Sequence, residues 1–298
     1  MRLSSDDLSE RVKELKSLLE SCTLCPRQCR VNRLKGETGF CKTGNKAVVA
    51  GYGPHFGEER CLVGKGGSGT IFFSWCNLRC IYCQNYEISW LGQGDPVNPD
   101  DIALIIMTLK ASGCENINLV TPTHVLPFWV EALQIISKET DLDLPIIYNT
   151  SGYENVNVLR LLDGIVDIYM PDFKYWNRLA ANRFSQCKDY PKITKEAIKE
   201  MHRQVGDLVF DKNGTAKKGL LVRHLVLPGG LSDTMEIVEF IAQEISSNTY
   251  MNIMDQYRPC GPGHLPPPMN RRITDHEYNQ ALRAAGSAGL QRLEGRLI

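Results

Sequence analysis

Short apolar segments alternate with amphipathic ones along the central part of the chain. Six segments are rich in Ile, Val, Phe and Tyr and mostly apolar on both faces, which is typical of parallel strands covered by helices. They are residues 69–75, 116–121, 145–150, 166–170, 220–227 and 250–257. Helix-like segments stand between them at 98–113, 126–139, 154–162, 192–205 and 233–246. The pattern predicts an α/β protein with six successive βα units, a parallel sheet curled into part of a barrel.

The two ends of the chain carry different patterns. Residues 6–20 predict an amphipathic helix, whereas residues 21–66 are rich in Cys, Gly, Arg and Pro and predict a small lobe organised by bound ligands. After Cys260 a proline-rich segment precedes a capping box at Thr274, which predicts a last helix. We therefore expect a helix and Cys-rich metal-binding lobe over 1–65, the barrel over 66–260, and a Pro-rich segment with a C-terminal helix over 261–298.

Composition and charge limit the kinds of partner. Lysine plus arginine and aspartate plus glutamate both number 34, so no overall basic field favours nucleic acid. The first twenty residues are charged throughout, and no segment approaches the roughly 20 apolar residues of a membrane span. We therefore expect a cytoplasmic protein with no membrane partner.

Seven of the eleven cysteines fall in two tight groups. The first group is Cys22, Cys25, Cys29 and Cys41, and the second is Cys76, Cys80 and Cys83. Thiolates clustered in a reducing compartment favour a metal site. The remaining cysteines are scattered, and each is better explained as a small buried apolar residue.

The second group follows the first predicted strand, and in parallel βα folds the loops at the carboxyl ends of strands bind ligands. Structural zinc takes four protein ligands, and no fourth Cys or His lies close to this trio in sequence. A 4Fe-4S cluster held by three cysteines leaves one iron free to bind another molecule. The alternatives are a zinc site with a distant fourth ligand and a coincidence of core cysteines.

The spacing CxxxCxxC, with Tyr82 before the last cysteine, resembles the signature of the radical S-adenosylmethionine (SAM) superfamily. The resemblance implies a partial (β/α)6 barrel of the radical SAM type and a 4Fe-4S cluster on Cys76, Cys80 and Cys83. It also implies that the enzyme cleaves SAM reductively to a 5′-deoxyadenosyl radical, which abstracts hydrogen from a substrate.

Within the superfamily the chain resembles the pyruvate formate-lyase activating enzymes, and more closely a branch related to them. The segments that carry the resemblance are "CTLCPRQCRVNRLKGETGFC", "GSGTIFFSWCNLRCIYCQNYEIS", "PDFKY", "RHLVLPGG" and "NIMDQYRP". It implies an electron donor such as flavodoxin or ferredoxin, and a glycine of a partner protein as the substrate.

The same resemblance implies residues that contact SAM. Asp172 and Lys174 resemble the Asp-Leu-Lys of the activating enzymes, where the aspartate accepts from the ammonium group and the lysine pairs with the carboxylate. Arg223 matches an arginine that faces the active site, and an arginine inside a parallel strand needs a polar or anionic partner. Strand alternation turns His224 the other way and predicts a core histidine. A surface ion pair is the alternative for Asp172 and Lys174.

Further contacts are expected from the other strand ends. Thr121 and Thr123 stand where the activating enzymes have a Gly-Gly-Glu stretch, and their hydroxyls or backbone carbonyls could replace its carboxylate. Gln256 or Tyr257 could contact the ribose or simply pack. Asn85 could touch the cofactor or cap the following turn, and Tyr82 is the aromatic residue of the signature.

The first cysteine group supplies four thiolates, enough for a tetrahedral zinc site or for a fully ligated second iron-sulfur cluster. The spacing of Cys22, Cys25, Cys29 and Cys41 fits neither the usual zinc-ribbon pair nor the ferredoxin run. An auxiliary cluster would pass electrons to the catalytic one, whereas zinc would only fold the lobe. Both metals remain open, and core packing is the alternative.

Three functions follow in order of preference. The first is a radical SAM enzyme of the activating-enzyme type. The second is a radical SAM enzyme that acts on a small molecule or in cofactor maturation. The third is a non-enzyme, a metal-stabilised redox-sensing or binding module. The charged strand-end residues Asp172, Lys174 and Arg223 argue against it.

Overall fold

The computed structural model describes residues 3–294. In chain order its elements are α1 (Ser5–Ser17), β1 (Ala47–His55), α2 (Arg60–Val63), β2 (Ser68–Phe73), α3 (Tyr86–Ser89), β3 (Asp95–Val97), α4 (Pro99–Ala111), β4 (Ile117–Val120), α5 (Leu126–Glu139), β5 (Ile146–Thr150), α6 (Val156–Arg160), β6 (Ile168–Pro171), α7 (Arg178–Ser185), α8 (Tyr190–Val205), β7 (Val209–Phe210), β8 (Ala216–Leu225), α9 (Thr234–Phe240), β9 (Tyr250–Met254), α10 (Asp275–Ser287) and β10 (Arg292–Leu293). A π-helical turn, Ile241–Ile245, continues α9.

The six predicted strands are confirmed and form the centre of one sheet. β2, β4, β5, β6, β8 and β9 pair in parallel in the order in which they occur along the chain. Helices connect them, and β5 and β6 are buried along their whole length, as parallel strands covered on both faces should be. This is the expected α/β architecture of a partial (β/α)6 barrel.

The edges of the sheet hold strands that the apolar pattern did not predict. β1 pairs antiparallel with β2 and with β3, and β10 pairs parallel with β9. The local sequence of β1 indicates a turn, because the strand contains Gly51, Gly53 and Pro54. Their part of β1 pairs with β2 alone, and an edge position tolerates proline because one side of its backbone needs no donor.

The helix ends follow the predicted signals. Asn98 caps α4 with a reciprocal capping box, Pro99 occupies the first turn, and Gly113 follows the helix with φ +80°. Thr274 forms the predicted capping box of α10. No helix within residues 3–294 is long and apolar enough to cross a membrane.

The parallel arrangement determines where a site can form. The carboxyl ends of β2, β4, β5, β6, β8 and β9 all lie at the same edge of the sheet, so the loops that follow them gather there. Each predicted cofactor contact belongs to one of these ends or loops.

Candidate active site

A loop that follows β2, residues 74–85 (the three-cysteine loop), carries the second cysteine group. Cys76, Cys80 and Cys83 are free, half-buried, and line one cavity of about 390 Å³. Pockets for small molecules have volumes of about 300–1,000 Å³. The cavity is therefore large enough for a ligand beside the three sulfur atoms.

Hydrogen-bonding groups surround the three sulfur atoms. The Leu78 backbone N–H donates to the Cys76 Sγ at 3.3 Å, and the Ser185 hydroxyl donates to the Cys80 Sγ at 3.0 Å. The Cys83 Sγ lies 3.1 Å from the Ser89 hydroxyl. Donors of this kind stabilise the negative sulfur of a metal-bound thiolate and are typical of iron-sulfur sites.

Burial raises the pKa of the Cys76 thiol to about 12, so the thiolate forms there only when a cation compensates its charge. Among residues 3–294, no group of three or more His, Cys, Asp or Glu side chains is arranged to hold a metal ion as it stands. The donors around the trio nevertheless fit a cluster held by Cys76, Cys80 and Cys83.

The end of β6 brings an ion pair to the same cavity. The Lys174 Nζ donates to the Asp172 carboxylate at 2.6 Å, and both side chains line the cavity. Burial by itself would lower the pKa of Lys174, but the Asp172 carboxylate, together with Cys80 and Tyr190, outweighs it and holds that pKa well above its usual value. The site therefore presents a fixed positive charge and a negative charge beside the three cysteines.

Arg223 of β8 also lines the cavity, and its anionic partners come from the segment after β1. The guanidinium donates to both oxygens of Glu59 at 2.7 Å and to Glu58. Glu59 is 3 % exposed and also accepts from Asn252 at 2.8 Å. Burial would raise the pKa of Glu59, yet Arg223 brings it below its usual value. The expected partner of Arg223 is thus a buried carboxylate.

Sequence reasoning missed Glu58 and Glu59. Two adjacent glutamates in a Gly-rich segment are typical of an exposed turn, and the arginine that holds them lies 164 residues away. His224, the next residue in β8, points away from Arg223, as alternation predicts. Its ring bonds the Phe173 carbonyl at 2.7 Å and Thr234 at 2.9 Å in the core.

The ends of β4 and β5 provide a polar wall. Thr121 lines the cavity with a positive φ of 59°, a conformation that non-glycine residues rarely adopt. Thr123 does not line the cavity, because its hydroxyl donates at 2.6 Å to a buried carboxylate, Glu154. Glu154 also accepts from Tyr148 at 3.2 Å and from Thr150, which does line the cavity.

Burial raises the pKa of Glu154 to about 7, against the three hydroxyl donors, which lower it. No motif includes this carboxylate, so sequence reasoning missed it. A glutamate four residues after a strand-end threonine was the available signal.

The remaining predicted contacts divide between the cavity and the core. Tyr82, Asn85 and Gln256 line the cavity, and the Asn85 side chain does not cap α3. Tyr257 does not line it, because its hydroxyl donates to the Met269 carbonyl at 2.6 Å. Its ring packs edge-on against Tyr82 with centroids 5.9 Å apart, so it supports the cavity wall from behind.

The first cysteine group lines a separate, small cavity. Cys22, Cys25, Cys29 and Cys41 all border it, and His124 from the end of β4 borders it too. Burial raises the pKa of the Cys25 thiol. The structure therefore brings together the four cysteines that the sequence grouped.

Comparison with known proteins places these features in a family. The model of the Radical SAM superfamily matches residues 70–241, more than half of the chain. The uncharacterized protein MJ0674 of Methanocaldococcus jannaschii is 34 % identical over 288 residues, which cover 93 % of this chain and 78 % of that protein. The uncharacterized protein MJ0808 of the same organism is 23 % identical over 257 residues, 76 % of this chain and 68 % of that one.

Two solved structures resemble the fold with TM-scores below 0.5. A structure of TYW1 with a lysine-pyruvate adduct bound has a TM-score of 0.46 and 13 % identity, and the match covers 73 % of each chain. HydG, a maturase of the FeFe-hydrogenase, has a TM-score of 0.48 and 12 % identity, and the match covers 97 % of this chain and 62 % of that one. Because the superfamily match covers more than half of the chain, including the three-cysteine loop and the strands β4, β5, β6 and β8, we conclude that this chain belongs to the radical SAM superfamily.

Proposed function

We propose that Cys76, Cys80 and Cys83 hold the 4Fe-4S cluster of the superfamily, and that Asp172 and Lys174 bind the amino acid end of SAM beside it. The observation that carries this proposal is that all five side chains line one cavity of about 390 Å³. When bound, the cluster supplies one electron that cleaves SAM to methionine and a 5′-deoxyadenosyl radical.

The charges in the cavity support a zwitterionic ligand. SAM carries an ammonium and a carboxylate on one carbon, and the Lys174–Asp172 pair presents the complementary charges side by side. When SAM binds, Lys174 exchanges Asp172 for the SAM carboxylate, and Asp172 exchanges Lys174 for the SAM ammonium group. Arg223 already donates to two carboxylates, so we infer that Lys174 binds the SAM carboxylate and that Arg223 forms part of the wall.

Polar groups at the other strand ends extend the proposed binding site. Thr121 and Thr150 offer oxygen acceptors near the ammonium, and Thr123 acts indirectly through Glu154. Asn85 and Gln256, both exposed at the cavity, would contact the nucleoside. Tyr82 would support the cluster from one side, with Tyr257 behind it.

We propose hydrogen abstraction from a glycine of a partner protein as the second half of the reaction, with flavodoxin or ferredoxin as electron donor. The resemblance to the activating enzymes supports this substrate class. The rim of the cavity also supports it, because His55 and Gly57 line the cavity while Phe56 between them is 64 % exposed. An exposed aromatic side chain at a cavity rim suits contact with a macromolecule.

Anaerobic reconstitution tests the cleavage reaction. The protein is loaded with iron and sulfide, reduced, mixed with SAM and assayed for 5′-deoxyadenosine. We expect product from the wild type and none from Cys80→Ala. The control is Cys114→Ala, which removes a buried cysteine outside both groups and should leave cleavage unchanged. A fully loaded wild-type protein that forms no 5′-deoxyadenosine would refute the proposed function.

Isotope transfer tests the substrate class. Cell protein labelled with α-deuterated glycine is separated from small molecules, and each fraction is added to the reaction. Deuterium in 5′-deoxyadenosine from the protein fraction supports the glycine target. A second experiment uses fractions from uniformly deuterated cells. If 5′-deoxyadenosine then acquires deuterium from the small-molecule fraction and none from the protein fraction, the result favours the second function, action on a small molecule.

A further inference from the structure

We propose that Cys22, Cys25, Cys29 and Cys41 bind a single zinc ion, and that this ion fastens the Cys-rich segment to the three-cysteine loop of the active site. The site is separate from the proposed SAM cavity, and the inference does not depend on which substrate the enzyme uses.

The four cysteines line one space, although their side chains, as they stand within residues 3–294, are not arranged as a metal-ion site. This space is a cavity of about 10 Å³. A space of ~10–15 Å³ holds about one water-sized sphere, so it suits one metal ion and is too small for an eight-atom 4Fe-4S cube. Zinc is the ion that four cysteine thiolates bind in a closed tetrahedral site.

A buried positive charge lies next to this cavity. Arg33 lines it and is 1 % exposed. Its Nε donates to the Gly44 carbonyl at 3.0 Å, and its Nη1 lies 4.0 Å from the Cys22 Sγ. Its Nη2 has no hydrogen-bond partner within residues 3–294. Four thiolates around Zn²⁺ leave a net charge of about −2, which would compensate a buried guanidinium that four neutral thiols cannot.

The backbone of Gly39 and Phe40 forms a cradle around the Cys29 sulfur. The Phe40 backbone N–H donates to the Cys29 Sγ at 3.3 Å, an orientation typical of a metal-bound thiolate. A Cβ on Gly39 would lie 2.7 Å from the same sulfur. Glycine at position 39 is therefore what lets this sulfur approach the backbone.

Two side chains at this cavity contact the three-cysteine loop of the candidate active site. Arg27 lies between Cys25 and Cys29, and its Nε donates to the Asn77 carbonyl at 3.0 Å, one residue after Cys76. His124 lines the zinc cavity, and its Nε2 lies 2.7 Å from the Ser74 carbonyl. An ion that orders the Cys25–Cys29 turn also holds Arg27 against the three-cysteine loop.

Metal analysis of a variant without the catalytic cysteines tests the site. In the Cys76→Ala, Cys80→Ala, Cys83→Ala triple variant, purified without oxygen, we expect about one zinc and no iron or sulfide per chain. Added Cys25→Ser or Cys41→Ser should remove the zinc. Iron and sulfide in the triple variant would overturn the proposal in favour of an auxiliary cluster, and absence of any metal would show that the cavity is core packing.

A pair of glycine variants tests the site without touching a ligand. Gly39→Ala should weaken zinc retention against a chelator by roughly tenfold or more, because the new methyl group displaces the Cys29 sulfur. Gly263→Ala is the control, since a Cβ there meets no described atom within 4 Å and Gly263 lies outside the segment that carries the four cysteines. Cobalt substitution is the control for misfolding, because a correctly folded site shows the intense visible absorption of tetrahedral cobalt thiolate. Equal zinc retention in both variants would contradict the proposed cradle.

Hydrogen exchange tests the connection. When a chelator removes zinc from the triple variant, amide exchange in residues 74–85 should accelerate, whereas exchange in Leu126–Glu139, the helix α5, should not change. Unchanged protection of residues 74–85 would reject the fastening role.

Discussion

Replacing Lys174 by methionine removes the ammonium group that we propose binds the SAM carboxylate, while keeping an apolar side chain of similar length. The Lys174–Asp172 pair is 2.6 Å long, and its side chains are only 16 % and 23 % exposed. A hydrogen bond to a charged group is worth about 1.5–3 kcal/mol in such surroundings. Loss of the bond to the SAM carboxylate should therefore weaken SAM binding roughly 10- to 150-fold.

Equilibrium dialysis of cluster-loaded protein against labelled SAM measures this affinity. Lys199→Met is the matched control, because Lys199 pairs with Glu244 at the same 2.6 Å but the two side chains are 50 % and 53 % exposed. Such a surface pair contributes about 0–1 kcal/mol to stability and lies outside the cavity lining. If Lys174→Met and Lys199→Met bind SAM equally well at equal cluster content, Lys174 does not bind the carboxylate.

Three further substitutions test the surroundings of the site. Glu59→Gln should lower the free energy of unfolding by about 3 kcal/mol, because Arg223 loses a buried bidentate partner and keeps the Glu58 carboxylate. Urea titration measures this change, and a loss below about 1 kcal/mol would show that the Arg223–Glu59 pair is unimportant for stability. Ser185→Ala should make the cluster's reduction potential more negative, since the hydrogen bond to the Cys80 sulfur is lost; EPR-monitored redox titration measures it, and an unchanged or higher potential would argue against the bond. Burial raises the pKa of Glu154 to about 7 from its usual 4.5. Between these two pH values the folded state keeps a proton that the unfolded chain has lost. The free energy of unfolding therefore falls by about 3 kcal/mol as the pH rises from 4.5 to about 7. Glu154→Gln should flatten that fall, and an equally steep loss of unfolding free energy in the variant would exclude the carboxylate as its cause.

The parallel sheet and the position of the cysteines could be predicted because local patterns encode both. A run of apolar residues that ends in Cys76 specifies a strand and the loop after it, whatever the rest of the chain does. The same holds for Asp172 after β6. The superfamily is confirmed, whereas the activating-enzyme branch stays a prediction.

The parts that escaped prediction depend on distant contacts. β1 contains two glycines and a proline, and only its partner β2 makes it a strand. Glu58 and Glu59 become site residues through Arg223, far away in sequence. Thr123 was expected to contact the cofactor because its segment follows β4, and Thr121 of the same segment does line the cavity. The Thr123 hydroxyl instead donates to the buried Glu154, behind the cavity wall.

The EPR spectrum of the reduced, cluster-loaded protein, recorded before and after addition of SAM, shows whether SAM reaches the cluster. A cluster on Cys76, Cys80 and Cys83, as we propose, has one iron open toward the cavity that Asp172 and Lys174 line. This arrangement predicts that SAM changes the cluster signal of the wild type. A signal that stays the same at saturating SAM would contradict it, because the open iron would then not face the SAM site.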